Sequence, residues 1–294
     1  MVEPMATNAI EQSDSQTERM QCMEVWGGNS EVDRSFEMPG LKAWVYSRPF
    51  DNSAGGGDVY YISSCASGRI TRIILADVSG HGATASELGV ALRDLMGRNV
   101  NRIKQTRFVQ DMNQQFAKVA EDSCFATAIV STYFAPTRSF TMCNAGHPPP
   151  FLYRTLEKRW LTLEKSERKI GKPSDLPLGI IDQSEYQQLE VRLDPGDLVL
   201  SFSDALTESL DEQGLVLGQE GLLTILKNLD VSDPTQILTQ LRSKLRSRHE
   251  NNLEDDDVTT ILLQATGTGS TIRDNLLAPI RLLMPVRDNT DLLR

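Results

Sequence analysis

The chain has 294 residues, 39% hydrophobic and 24% charged, with 40 Asp and Glu against 30 Lys and Arg for a net charge of −10. That length supports one large buried core, and the composition excludes a fibrous, collagenous or wholly disordered chain. The acidic balance argues against a nucleic-acid partner held by counterion release, and no apolar run approaches the roughly 18 residues of a membrane span.

Residues 1–40 read as a partly disordered lead-in: the first 20 are rich in Glu, Gln, Ser and Thr, and Cys22–Asn29 is an apolar stretch able to pack on a domain. Met1–Gln21 has neither the basic segment nor the apolar stretch of a secretory signal. The four cysteines, Cys22, Cys65, Cys124 and Cys143, form no CxxC pair and read as reduced thiols of a cytoplasmic protein.

From Leu41 the pattern becomes strand-like, at Ala43–Tyr46, Val59–Ile62 and Ile70–Val78. Two helical patterns follow, one through Leu88, Leu92, Leu95 and Met96, the other through Phe108, Met112, Phe116 and Val119. Strands resume at Phe125–Phe134, Phe140–Cys143 and Phe151–Tyr153, and the charged stretch Glu164–Asp175 predicts an exposed loop. Leu189–Leu193, Leu198–Phe202 and Val258–Leu263 complete the strands, with helices around Leu222–Leu229 and Ile237–Leu245. This order is not the regular alternation of a parallel sheet. It predicts an α+β layered domain over residues 41–265, with mainly antiparallel sheets, helices outside them, and a tail over 266–294.

Chemistry gathers at strand ends. Asp58 follows three glycines, Asp77 ends an apolar strand and opens Val78-Ser79-Gly80-His81-Gly82, Asp204 follows Leu198–Ser203, and Asp255, Asp256 and Asp257 precede Val258. Each has a plain structural reading: a glycine turn, an Asx turn, a helix N-cap and a solvated acidic run. Brought together, these carboxylates would repel one another unless a hard cation such as Mg²⁺ or Mn²⁺ joined them.

In chain order, G-G-G-D (55–58), D-V-S-G-H-G (77–82), F-A-T-A (125–128), N-A-G-H-P-P-P (144–150), L-P-L-G-I (176–180), S-D-A-L-T-E (203–208) and D-D-V-T (256–259) resemble the SpoIIE/RsbU branch of the PPM metal-dependent Ser/Thr protein phosphatases. The resemblance implies a four-layer α-β-β-α sandwich of two antiparallel sheets with two Mn²⁺ or Mg²⁺ ions at one end. It implies that Asp77 bridges both ions, that the Val78 carbonyl and Asp58 serve one, and that Asp204 and Asp256 hold the other. Asp257 stands in for Asp256 if the register of the acidic run shifts by one. The implied reaction is hydrolysis of phosphoserine or phosphothreonine by a metal-bridged water. The implied substrate is a small regulatory protein of the anti-sigma-factor-antagonist type. With no sensor domain legible in the sequence, activity is expected to be controlled by a separate activator protein or by metal occupancy.

His81 fits a general acid that protonates the leaving oxygen, or a residue that orients its loop by hydrogen bonding. Asn144 and His147 read as hydrogen-bonded supports near the cleft. Two positions depart from the family pattern: Tyr61 stands where a second Asp is common, and Ala205 where Gly is usual. These departures keep open a catalytically weak module that binds a phosphoprotein. A serine hydrolase using Ser79 or Ser203 lacks the GxSxG elbow. Arg242, Lys244, Arg246 and Arg248 read as the solvated face of a helix rather than a nucleic-acid site. The apolar residues after Thr271 read as a segment that folds back, docks a partner or stays loose.

Overall fold

A computed structural model describes residues 17–20, 24–65, 68–80, 82–102, 104–120, 124–165, 174–267 and 287–288. The chain opens with strands β1 (Thr17–Arg19), β2 (Glu24–Gly28), β3 (Val32–Met38), β4 (Leu41–Arg48), β5 (Asp58–Cys65) and β6 (Ile70–Val78). Helices α1 (Ala83–Asn99) and α2 (Gln105–Phe116) precede β7 (Ala126–Phe134), β8 (Ser139–Ala145), β9 (Phe151–Arg154), β10 (Arg159–Thr162), β11 (Gln188–Arg192) and β12 (Leu198–Phe202). Then come α3 (Ala205–Glu208), α4 (Gly218–Lys227), α5 (Pro234–Arg246), β13 (Val258–Ala265) and the two-residue β14 (Arg287–Asp288).

Among the described residues the strands form two seven-stranded sheets, ordered β1-β3-β4-β13-β12-β9-β10 and β11-β8-β7-β6-β5-β2-β14. All pairs are antiparallel except the edge pairs β1–β3 and β14–β2. The period-2 alternation of strands sorts side chains into layers. Along β5, Tyr60 and Ile62 point between the sheets, while Val59 and Tyr61 join the core under α1 and α2. Along β4, Ala43 and Val45 face the other sheet, and Trp44 and Tyr46 pack toward the α4 and α5 side. The result is the expected α-β-β-α sandwich. Each fully buried Leu, Ile or Phe contributes roughly 1.5–3 kcal/mol.

Three strands, β1, β2 and β3, lie upstream of residue 41, where the sequence pattern predicts the domain to start. β3 carries the fully buried Phe36, and β2 pairs with β5 along its whole length. The Cys22–Asn29 stretch is therefore, from Glu24 to Gly28, a sheet strand rather than a packed appendage. Most of the Glu164–Asp175 loop and of the tail after Gly267 lies outside the described residues.

On the α4–α5 side, α5 starts with Asp233 accepting the Thr235 N–H and with Pro234 in the first turn, and it buries Ile237, Leu238, Leu241 and Leu245. Its two arginines are engaged locally. The Arg242 guanidinium stands 3.6 Å from the Tyr46 ring centroid and 3.6 Å from Asp33, and Arg246 pairs with Glu254 at 3.2 Å.

Candidate metal centre

The ladder between β5 and β6 sets Asp58 directly opposite Asp77, and the next pairing sets Asp77 opposite Thr127. On the other sheet β12 pairs with β13, which brings Asp204 and the 255–257 run to the same end of the sandwich. Ser203 stitches that end: its N–H donates to the Thr259 carbonyl and the Thr259 N–H donates to Ser203 Oγ, both at 2.9 Å.

Asp257 joins the two sheets. Its carboxylate accepts N–H bonds from Phe50 and Gly57 at 2.6 Å and from Asp58 at 3.3 Å. That contact leaves no room for a side chain at residue 56, because a Cβ on Gly56 would lie 2.3–2.4 Å from the Asp257 carboxylate atoms. A Cβ on Gly57 would lie 2.8 Å from the Val78 carbonyl oxygen, which explains the glycines before Asp58. From the far side, the Asn29 carbonyl accepts the Gly56 N–H at 2.8 Å. Asn29 Nδ2 donates to the Gly56 carbonyl at 2.9 Å and to the Ser86 carbonyl and hydroxyl of α1 at 3.1 Å each.

The electrostatics report how closely the carboxylates gather. Burial pushes the Asp58 carboxyl well above its ordinary range, and the charges of Asp77 and Asp257 push it further, with the Ser203 and Thr259 hydroxyls opposing. Burial, then Asp204, Asp256, Asp257 and Glu208, raise Asp77 to about 7. Asp204 is also raised, by burial and then by Glu208. Acidic side chains from the start of β5, the end of β6, the α3 turn and the loop before β13 therefore act on one another.

The chemistry of this set fits a hard divalent cation. Asp58 Oδ2 is buried without a hydrogen-bond partner, a costly state for a carboxylate that a cation relieves. Asp204 precedes α3, but its side chain makes no N-cap hydrogen bond. Among the described residues no three His, Cys, Asp or Glu side chains already close into a cation site. Backbone carbonyls and waters have to complete any sphere, as is common for Mg²⁺ and Mn²⁺.

The histidines divide. His81 lies outside the described residues. His147 is buried between the sheets' ends, with Nδ1 2.7 Å from Thr127 Oγ1 and Nε2 3.0 Å from the Phe202 carbonyl. Burial pushes its imidazole down to about 4, with the Phe202 carbonyl opposing. Asn144 accepts the His147 N–H and donates to the His147 carbonyl, both at 2.8 Å. The imidazole thus links Thr127, across the ladder from Asp77, to β12, which leads to Asp204. Ser79 Oγ accepts the Phe125 N–H at 3.0 Å and Ser203 Oγ is bonded to the Thr259 N–H, so neither serine is paired with His147.

Neither departure removes a donor. Tyr61 is 1% exposed in the core beneath α1, and Ala205 lies in the α3 turn, outside the positive-φ residues, so the missing glycine brings no strain. Asn29, Thr127 and Glu208 belong to the site although sequence reasoning did not select them. For Glu208 a signal existed: it stands four residues after Asp204, one helical turn away.

A cleft of about 470 Å³ opens beside Asp204, bordered by Thr127, His147, Pro148, Glu208 and Val216. A larger groove of about 960 Å³ runs along α1 past Asn29, Arg34 and Arg93 and holds none of these aspartates.

The family model for Stage II sporulation protein E (SpoIIE) matches residues 67–266. The phosphoserine phosphatase RsbU of Bacillus subtilis (strain 168) is 25% identical over 194 residues, which are 65% of this chain and 54% of that protein. The chain thus spans about half the length of that relative. The RsbU and RsbW domains of Rv1364c from Mycobacterium tuberculosis superpose with a TM-score of 0.66 at 21% identity, covering 86% of this chain and 70% of theirs. The PP2C phosphatase domain with a regulatory fragment of SpoIIE from Bacillus subtilis gives a TM-score of 0.62 at 18% identity, covering 83% and 64%. The fold is that of a PP2C-type phosphatase domain.

Proposed function

The chain belongs to the SpoIIE family, and on that premise we propose that it is a Mn²⁺- or Mg²⁺-dependent phosphatase that hydrolyses phosphoserine or phosphothreonine in a regulatory protein. The observation that carries this reading is the convergence of Asp58, Asp77, Asp204 and Asp256 at one end of the sandwich, with Asp58 Oδ2 buried and without a close hydrogen-bond partner. Asp58, Asp77, the Val78 carbonyl, Asp204 and Asp256 would hold two such ions. Asp257 is assigned the bracket between the sheets, since backbone N–H groups already occupy its carboxylate.

Phosphate monoesters are among the slowest substrates to hydrolyse unaided, so charge stabilisation at the phosphoryl group has to be large. A pair of hard cations supplies Lewis-acid charge and a water acidic enough to attack near neutral pH. The chain's own residues do the rest. Asp77 and Asp204 supply the negative charge that retains the cations, and Asp257 and Asn29 fix the glycine loop that aims Asp58. His147 and Asn144 hold Thr127 and the end of β12 in register. His81 is assigned the orientation of its loop by hydrogen bonding or, alternatively, the proton donor to the leaving serine or threonine oxygen.

The closest chemical class of substrate is a small phosphoprotein of the anti-sigma-factor-antagonist type, acted on in the cytoplasm under the control of a separate activator protein. The resemblance to RsbU supports that assignment. A catalytically weak binding module gains no support from Tyr61 or Ala205, because neither position costs a donor.

The test is phosphate release from a phosphoserine peptide with Mn²⁺, for the wild type, Asp77→Asn and Asp204→Asn, with folding checked by circular dichroism. Release that a chelator abolishes and that both folded variants lack supports the reading. Folded variants with wild-type turnover would refute it. For His81→Ala, a flattened acidic limb of the rate–pH profile marks the proton donor, and an unchanged profile removes His81 from the chemistry.

A further inference from the structure

The turn between α3 and α4 is built more firmly than its surface position requires. The Asp211 N–H donates to the Leu215 carbonyl at 2.8 Å, and Asp211 Oδ1 accepts the N–H groups of Gln213 and Leu215 at 2.8 and 2.9 Å. The Leu217 N–H closes the base on the Ser209 carbonyl at 2.8 Å. The Asn252 side chain holds Leu210 from outside, accepting its N–H at 2.7 Å and donating to its carbonyl at 2.8 Å.

This frame holds Leu215 and Val216 out in water, 65% and 64% exposed. Single exposed aliphatic residues are ordinary on protein surfaces. Two adjacent ones on a hydrogen-bonded turn are different, because rigidity removes their freedom to fold back and lowers the cost of ordering on binding. Their position supplies the second observation. Val216 borders the cleft of about 470 Å³ that also contains Asp204, so the cleft runs without a break from the aliphatic turn to the candidate centre. Its charged lining residues are Asp204 and Glu208, both acidic.

Resting on the phosphatase reading above, we infer that this turn and cleft bind the polypeptide around the phosphorylated residue, and that they favour an aliphatic neighbour against Leu215 and Val216 and a cationic neighbour beside Glu208. The occupant follows from continuity and charge. A chain whose phosphate lies at Asp204 has its neighbouring residues within the same cleft, and an acidic neighbour would meet Glu208 with like charge. The aliphatic part of the specificity is therefore set outside the metal centre, by a surface at Leu215 and Val216 that a small phosphate ester does not reach.

The experiment compares three probes with Mn²⁺ present: a phosphoserine peptide flanked by Leu and Lys, one flanked by Gly and Lys, and p-nitrophenyl phosphate. Wild type is compared with the double variant Leu215→Ser/Val216→Ser, whose melting temperature is measured alongside. Wild type is expected to prefer the Leu/Lys peptide by about tenfold or more in kcat/KM, the scale of one buried aliphatic contact. The variant is expected to lose most of that preference while its turnover of p-nitrophenyl phosphate is unchanged. Equal use of the two peptides by wild type, or a preference that survives in the folded variant, would overturn the inference. So would a variant that melts normally yet loses p-nitrophenyl phosphate turnover, since the turn would then be serving the centre itself. Absence of turnover on all three probes by wild type would instead bring down the phosphatase reading, and the inference with it.

Discussion

Replacing His147 with glutamine removes a titrating ring from the buried link between Thr127 and β12. In the fold this imidazole is held near pKa 4 by burial, against an ordinary value of 6.5. Between those values the unfolded chain binds a proton that the folded chain refuses, so stability falls as pH falls. A difference of about 2.5 units corresponds to ~3 kcal/mol lost between neutral pH and pH 4. The aspartates of the centre act in the opposite sense. Their folded pKa values are raised, so their contribution is present at low pH and is lost as pH rises through those values. The wild-type curve alone therefore mixes two slopes, and the difference between wild type and His147→Gln isolates the ring. Urea unfolding followed by tryptophan fluorescence, with a chelator present, gives both curves at steps from pH 7.5 to 4. The stability gap between the two proteins should narrow by ~3 kcal/mol across that window. A gap that stays constant with pH would refute the assignment of a neutral, buried His147.

Asp58→Asn should raise the melting temperature of the metal-free protein at pH 8 by a few degrees, on the order expected when a strained buried charge is removed, and should abolish the further rise caused by Mn²⁺; differential scanning calorimetry reads both, and a lower metal-free melting temperature would contradict the prediction. Gly56→Ala should destabilise the protein by about 1–3 kcal/mol in urea unfolding, because the new Cβ drives into the Asp257 carboxylate. A neutral effect would mean that the Asp257 bracket is not as drawn. Asn29→Ala should cost about 1–3 kcal/mol, since buried partners on the glycine loop and α1 lose their donor. It should also raise the Mn²⁺ concentration needed for half-maximal stabilisation, measured in the same melts.

The parts of the fold that could be read from sequence are those whose strands are buried on both faces. Ile70–Val78 and Leu198–Phe202 are near-continuous apolar runs because sheet covers one side and helix the other, and their bounds match β6 and β12. β3 escaped notice because Val32-Asp33-Arg34-Ser35-Phe36-Glu37-Met38 dilutes its buried positions with charge. β2 ends in Gly27 and Gly28, residues that are depleted in strands, yet a Cβ on Gly27 would lie 2.7 Å from the Tyr60 carbonyl oxygen of the paired strand. β10 was hidden by its brevity and its exposed Arg159.

The same contrast runs through the centre. Asp58, Asp77 and Asp204 were visible because an acidic residue at the tip of an apolar strand breaks a local rule and asks for a reason. Asn29 breaks none. Its value comes from tertiary bonds to Gly56 and Ser86, some 27 and 57 residues away, and no local pattern encodes those. The split of roles between Asp256 and Asp257 was open for a related reason: in a run of three aspartates, only the packing of Phe50 and Gly57 against the third marks it as the residue that joins the two sheets.

The central claim is that carboxylates drawn from separate segments of the chain hold hard divalent cations between the two sheets. Calorimetric titration of Mn²⁺ into the metal-free wild type and Asp77→Asn measures this directly. Saturable uptake approaching two ions per chain, lost or cut by an order of magnitude in affinity in the folded variant, is the predicted result. Uptake that is absent from wild type, or that Asp77→Asn leaves unchanged, would contradict it.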